Sequence, residues 1–178
     1  MKTILAFAGS NSSASINHEL VKYTVSQVPK FRIQLLRMSE MPFPMYSSDT
    51  EKNDGYKNSL IELHEDIKKA AGLIISVNEH NGNPSAYFKN VIDWLSRVDR
   101  KFLADKKIFL MSTSQNERGG QSSLSTVKNM LPRFGADIID TFSLPFFNTN
   151  FSLEEGEITD VDLKTEHLRT LNDFLDQL

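Results

Sequence analysis

The sequence predicts a doubly wound α/β domain, a five-stranded parallel sheet with helices on both faces. Five short apolar runs with polar punctuation alternate with amphipathic stretches of helical period, and such spacing suits parallel strands joined by right-handed crossovers. The chain has 178 residues, about one domain at the usual ~150, so 1–178 reads as a single unit.

Thr3 to Ala8 opens as the first strand; Met1 and Lys2 precede it, but the apolar run is shorter than a signal-peptide core and passes at once into a Gly/Ser/Asn-rich loop. Ile16 to Val28 follows as a helix with Leu20, Thr24 and Val28 on one face. Arg32 to Leu36 is the second strand. Tyr56 to Ala71 is helical through Leu60, Leu63 and Ile67, and Gly72 to Val77 is the third strand. Ala86 to Val98 repeats the helical spacing with Val91, Leu95 and Val98. Lys107 to Ser112 is the fourth strand, and Ser122 to Phe134 the next helix, through Leu124, Val127, Leu131 and Phe134. Asp137 to Leu144 completes the sheet, and a terminal helix runs from about Val161 to Leu178. Strands two and four begin with charged residues yet are internally apolar, which fits the buried centre of a parallel sheet.

Composition excludes several classes. With 39% hydrophobic and 24% charged residues, 8 Gly and 6 Pro, the chain is neither disordered nor low-complexity. No apolar run approaches the ~20 residues that span a bilayer, so no membrane partner is expected. Zero cysteines exclude a disulfide framework, a thiolate metal site and a cysteine nucleophile, and point to a cytoplasmic address. Residues 151–178 hold eight acidic and two basic side chains, leaving the preceding part at 18 basic against 15 acidic. That acidic C-terminal segment reads as the solvated face of the terminal helix or as a partner-binding tail. Basic residues form no stripe, which argues against nucleic acid. His18, His64 and His167 lack ligand-like spacing, read as surface or packing residues, and no metal site is expected.

In a doubly wound sheet, ligands bind outside the carboxyl ends of the strands. After the first strand comes Gly9-Ser10-Asn11-Ser12-Ser13-Ala14-Ser15-Ile16-Asn17, four serines and two asparagines without a charge, opening directly into a helix. Unpaired amides at a helix start, its dipole and neutral donors suit an anion; helix capping by Ser15 accounts for only one of the serines. The loop lacks the second glycine of a dinucleotide turn and the Gly-Lys-Ser/Thr of a nucleoside-triphosphate loop, so a monophosphate held by backbone amides fits best. After the third strand comes Asn78-Glu79-His80-Asn81-Gly82-Asn83-Pro84, and the fourth helix is preceded by Gly119-Gly120.

These residues, with Pro44 to Asp49 and Phe88-Lys89-Asn90-Val91-Ile92-Asp93-Trp94, carry a resemblance over roughly residues 3 to 145 to the NADPH-dependent FMN reductase family of flavodoxin-like proteins, which includes quinone and azo-dye reductases. The resemblance implies strand order 2-1-3-4-5, bound FMN, NADPH or NADH as co-substrate, a small-molecule electron acceptor such as a quinone, azo compound or free flavin, and a homodimer. It implies an FMN phosphate on Ser10, Ser12, Ser15 and Asn17 with Ile16 beside them. The ring would lie between Asn78, Glu79, His80, Asn81 and Gly82 on one side and Thr113, Ser114, Gln115 and Asn116 on the other, with Gly119 turning the last loop into its helix. Members mostly carry an arginine and a tyrosine where this chain has Ser12 and His80, so phosphate binding is expected to be weaker by ~1 kcal/mol or more unless another cation substitutes.

A flavin needs no side-chain acid or base for hydride transfer, which accounts for the lack of a triad. His80 is either a proton donor to a reduced substrate or a surface residue, and Glu79 either a site residue or a helix cap or ion-pair residue. Pro42 to Tyr46 and Pro145 to Phe147 either roof a flat substrate or form a minicore or dimer contact. Two other readings stand beside the reductase: a non-enzymatic FMN electron carrier, and a cofactor-free interaction module of the same fold.

Overall fold

Strands that are apolar on both faces need cover on both, and the chain supplies it by alternating strand and helix. The computed structural model describes all of residues 1–178. The elements run β1 (Thr3–Ala8), α1 (Ile16–Ser26), β2 (Arg32–Leu36), α2 (Ser48–Asp54), α3 (Asn58–Lys69), β3 (Gly72–Val77), the paired short strands β4 (Glu79–His80) and β5 (Asn83–Pro84), and α4 (Ala86–Val98). They continue with β6 (Lys107–Thr113), α5 (Gln121–Met130), β7 (Asp137–Leu144), α6 (Phe147–Asn150), the paired β8 (Phe151–Ser152) and β9 (Glu157–Ile158), and α7 (Val161–Leu175). The five long strands form one parallel sheet in the order β2-β1-β3-β6-β7, the expected 2-1-3-4-5 of a flavodoxin-like fold.

Period-two alternation divides the core. Leu5, Phe7, Leu73, Ile75, Ile108 and Leu110 point to the face covered by α3, α4 and α5, where they meet Leu63, Ile67, Val91, Leu95, Leu124 and Val127. Ile4, Ala6, Ile74, Phe109 and Met111 point the other way, onto Leu20 and Val21 of α1 and Leu171 and Phe174 of α7. No helix is long and apolar enough to cross a membrane.

Several boundaries differ from expectation for identifiable reasons. The first helix ends at Ser26 rather than Val28, because Val28 precedes Pro29 and the residue before a proline is pushed out of the helical region. The expected 122–134 helix is α5 to Met130 followed by a 3-10 turn at Leu131–Phe134; Pro132 has no N–H for the next α-helical bond. The terminal helix stops at Leu175, and the expected 56–71 helix is α3, beginning at Asn58. Helix α2 was not expected: Ser-Asp-Thr-Glu-Lys-Asn-Asp has no apolar face, and Ser47 starts it by accepting from the Thr50 N–H. Strand two is not central. It is the sheet edge, and none of its residues is fully buried. The acidic residues of 151–178 are exposed or half-exposed; Asp162, Glu166 and Asp173 lie on the solvated side of α7 while His167, Leu171 and Phe174 face the core, and Glu154, Glu155, Glu157 and Asp160 precede the helix.

His167 is a packing residue, fully buried between Phe109 and Phe142, with Nε2 2.8 Å from the Thr24 hydroxyl. Burial pushes its pKa down to about 4 from 6.5. The unfolded chain therefore takes up this proton first as the pH falls, so the stabilisation is intact above pH 6.5 and is lost between there and about pH 4. The loss attributable to His167 should be about 3 kcal/mol at ~1.4 kcal/mol per pH unit. Urea unfolding of the wild type and His167→Leu at pH 7, 5.5 and 4.5 checks it: the variant should lose less stability over that range, and parallel losses in both proteins would refute it.

Candidate functional site

The polar loops converge at the carboxyl edge of the sheet because β1, β3 and β6 lie side by side. Helix α1 starts at Ser15, whose Oγ accepts from the His18 N–H at 3.2 Å, and the amides of Ile16 and Asn17 have no partner within the protein. The Ser10 Oγ accepts from the Ser12 N–H at 3.2 Å and the Ser12 Oγ from the Ala14 N–H at 3.3 Å, so the loop braces itself.

Asn17 ties the loop to the sheet. Its Nδ2 donates to the Thr113 carbonyl at 3.2 Å, and its Oδ1 accepts from the Ser76 hydroxyl at 2.7 Å and from the Thr113 N–H at 3.1 Å. The amide group that the resemblance placed on a phosphate thus bridges β3 and β6, and the Asn17 backbone N–H is free.

The segment after β3 is a hairpin. Asn81 and Gly82 have φ of 51° and 74°, the pair of positive values that a two-residue turn between β4 and β5 demands. The Asn-Gly dipeptide was the available signal for it. The Glu79 Oε2 accepts from the Ser123 N–H at 3.1 Å, and the Ser123 hydroxyl donates to the Asn78 carbonyl at 2.9 Å. Glu79 is therefore the cap of α5, whose own N-terminal residue, Gly120, has no side chain to cap it. The Asn78 side-chain oxygen is buried and unpartnered.

The three loops enclose a cleft of about 440 Å³. The first contributes Ser10, Ala14, Ser15, Ile16 and Asn17, the second Asn78, Glu79 and His80, and the third Thr113, Ser114 and Gln115. Ala14 was missed, having no polar group to mark it. Five expected residues are not on its walls. Ser12 faces the far side of the loop; Asn81 and Gly82 form the hairpin tip; Asn116 accepts from the Ser114 hydroxyl and the Arg118 N–H; and Gly119, with φ of 56°, turns the chain into α5. His80 is exposed at the rim. The one carboxylate on its wall is Glu79, already held by an amide. A larger groove of about 630 Å³, lined in part by Glu117, Arg118 and Gln121, shares no residue with this cleft.

The aromatic loops form a minicore. The Pro44 carbonyl accepts from Asn90 Nδ2 at 2.9 Å and Trp94 Nε1 at 2.8 Å, the Tyr46 N–H donates to Asn90 Oδ1 at 2.8 Å, and the Tyr46 ring packs edge-on against Trp94. Phe147 is buried on Phe151, while Phe146, at 46% exposure, and Met45, at 69%, are open.

Asn17→Ala should cost about 3 kcal/mol, because the buried Ser76 hydroxyl and Thr113 peptide lose a shared partner. The urea midpoint should fall at unchanged m, and a shift worth less than ~1 kcal/mol would refute the bridging role.

Comparison with known proteins agrees with this architecture. The chain is 23% identical to the quinone reductase of Escherichia coli K12, over 98% of this chain and 96% of that protein. It is 29% identical to the NADPH:quinone oxidoreductase of Arabidopsis thaliana, over 67% of this chain and 61% of that protein. Among solved structures, FerB, a flavoenzyme NAD(P)H:(acceptor) oxidoreductase from Paracoccus denitrificans, superposes with a TM-score of 0.78 at 20% identity, covering 99% of this chain and 98% of that one. An NADH:FMN oxidoreductase in its apo form gives 0.79 at 17% identity, covering 100% of this chain and 90% of that one. Residues 2–149 match the family model described as NADPH-dependent FMN reductase, and on that match the chain belongs to the NADPH-dependent FMN reductase family of oxidoreductases.

Proposed function

We propose that the chain binds FMN in the cleft between the loops after β1, β3 and β6 and uses NADPH or NADH to reduce a small-molecule acceptor of the quinone, azo-compound or free-flavin class. The observation that carries the reading is the meeting of an uncharged α1 N-terminal loop with two amide-rich loops at one sheet edge. Family membership supports it. The proposal takes 1–178 as one domain and carries over the family's homodimer and a cytoplasmic setting.

The residues present fit such a group. The cleft lies in the size range of small-molecule sites, ~300–1,000 Å³. The free amides of Ile16 and Asn17, with the Ser10 hydroxyl, suit a phosphate monoester at the positive end of α1. The orphaned Asn78 oxygen offers an acceptor to a polar ring edge. Bound FMN would supply the hydride chemistry itself. The chain's part is then to hold and orient: Glu79 and Ser123 keep the hairpin against α5, and Asn17 keeps the phosphate loop in register with Thr113. No wall residue need move a proton.

The purified protein, mixed with FMN and desalted, should keep the flavin bands in its visible spectrum and bleach them on adding NADPH or NADH, with recovery on adding a quinone. Protein that does not retain FMN refutes the cofactor, and retained flavin that no nicotinamide bleaches refutes the reductase. Ser10→Ala should weaken FMN by ~1 kcal/mol, roughly fivefold, and unchanged affinity would remove Ser10 from the phosphate.

A further inference from the structure

The walls of the cleft carry no arginine or lysine, so besides Glu79 and His80 an anion there meets amides, hydroxyls and a helix end. Behind the loop one is in contact. Arg37, the residue after β2, reaches across to donate from Nη2 to the Ser13 carbonyl at 3.1 Å. Its guanidinium borders a small recess with Ser10, Ser12, Ser13 and His18, and Ser10 is also a wall residue of the cleft. After burial, the Arg37 cation is the largest influence depressing the His18 pKa, which puts its field on the first turn of α1. Nothing in the strand requires the contact, since Arg37 lies outside β2 and pairs otherwise only with exposed Glu40, at 3.7 Å.

The geometry of one peptide gives the contact a consequence. The chain contains no cis peptide, so the Ser13 C=O and the Ala14 N–H point in opposite directions. Holding the Ser13 carbonyl therefore also fixes the Ala14 N–H on the Ser12 hydroxyl that accepts it, and Ala14 is itself part of the cleft wall.

We infer that Arg37 is a positioning residue for the phosphate loop: it fixes the Ser13–Ala14 peptide, and its charge, acting through the loop, favours a flavin bearing a 5′-phosphate over one without. The inference rests on the FMN reading above.

The test is the pair of dissociation constants for FMN and riboflavin, from quenching of flavin fluorescence, in wild type, Arg37→Ala, Arg37→Gln and Arg37→Lys, with thermal unfolding followed in each. Wild type should prefer FMN. Arg37→Ala should weaken FMN about tenfold and leave riboflavin unchanged, a drop of about tenfold in the preference. Arg37→Lys should restore most of the preference; Arg37→Gln, which keeps a donor without the charge, should fall between them. An unchanged preference in Arg37→Ala overturns the inference, as does equal weakening of both ligands, which would mark Arg37 as a brace alone. A wild type that binds neither flavin, or both alike, fails at the FMN reading itself, before Arg37 is at issue.

Discussion

The site depends on one buried amide. Asn17, 3% exposed, bonds to β3 through Ser76 and to both backbone groups of Thr113 at the end of β6. A helix start, a strand and a loop origin are thereby held to one another by a group that would be costly to leave unpaired at each end. The cleft walls begin where these segments end, so their separation follows from that bridge and not from the loops' own rigidity. An asparagine suits the position because it donates and accepts from one planar group.

A second reciprocal arrangement steadies the other wall. Gly120 turns the chain sharply into α5 but offers no side chain to cap the helix, and Glu79 does so from the neighbouring hairpin. Ser123 returns a bond to the Asn78 carbonyl. The carboxylate, which would repel an anion if left free in the cleft, is thereby satisfied by an amide. The resulting cavity lacks any lysine or arginine and, apart from Glu79 and His80, is polar by amides and hydroxyls, the chemistry on which the FMN proposal rests. It also leaves Arg37, outside the walls, as the cation braced against the first loop.

Legibility followed local burial. Four of the long strands begin and end where their apolar runs do, and β6 extends only one residue further, to Thr113. Fully buried parallel strands announce themselves this way, but β2 shows the limit: Arg32 to Leu36 has the same look, and only the order of pairing reveals an edge. Helix α2 left no trace, being polar all round and dependent on Ser47. In the cleft, serines and asparagines marked the loops that converge, but not which of their groups line it. Ser12 is off the cleft wall and the Asn17 side chain bridges β3 and β6, distinctions that composition does not carry.

By itself the sequence determined the alternation of strands and helices, the polar loops that follow the first, third and fourth strands, and the family, through its Glu79-x-Asn81-Gly82 turn and its Lys89-Asn90-x-x-Asp93-Trp94 helix. These are local or periodic properties, set by which side chains must leave water within a few residues of one another. Tertiary structure decided which polar groups remain free for a ligand. Asn17 meets Ser76 across 59 positions and Thr113 across 96, and Arg37 meets Ser13 across 24. A side chain's hydrogen-bonding capacity is written in its type, but its partner depends on the whole path of the chain.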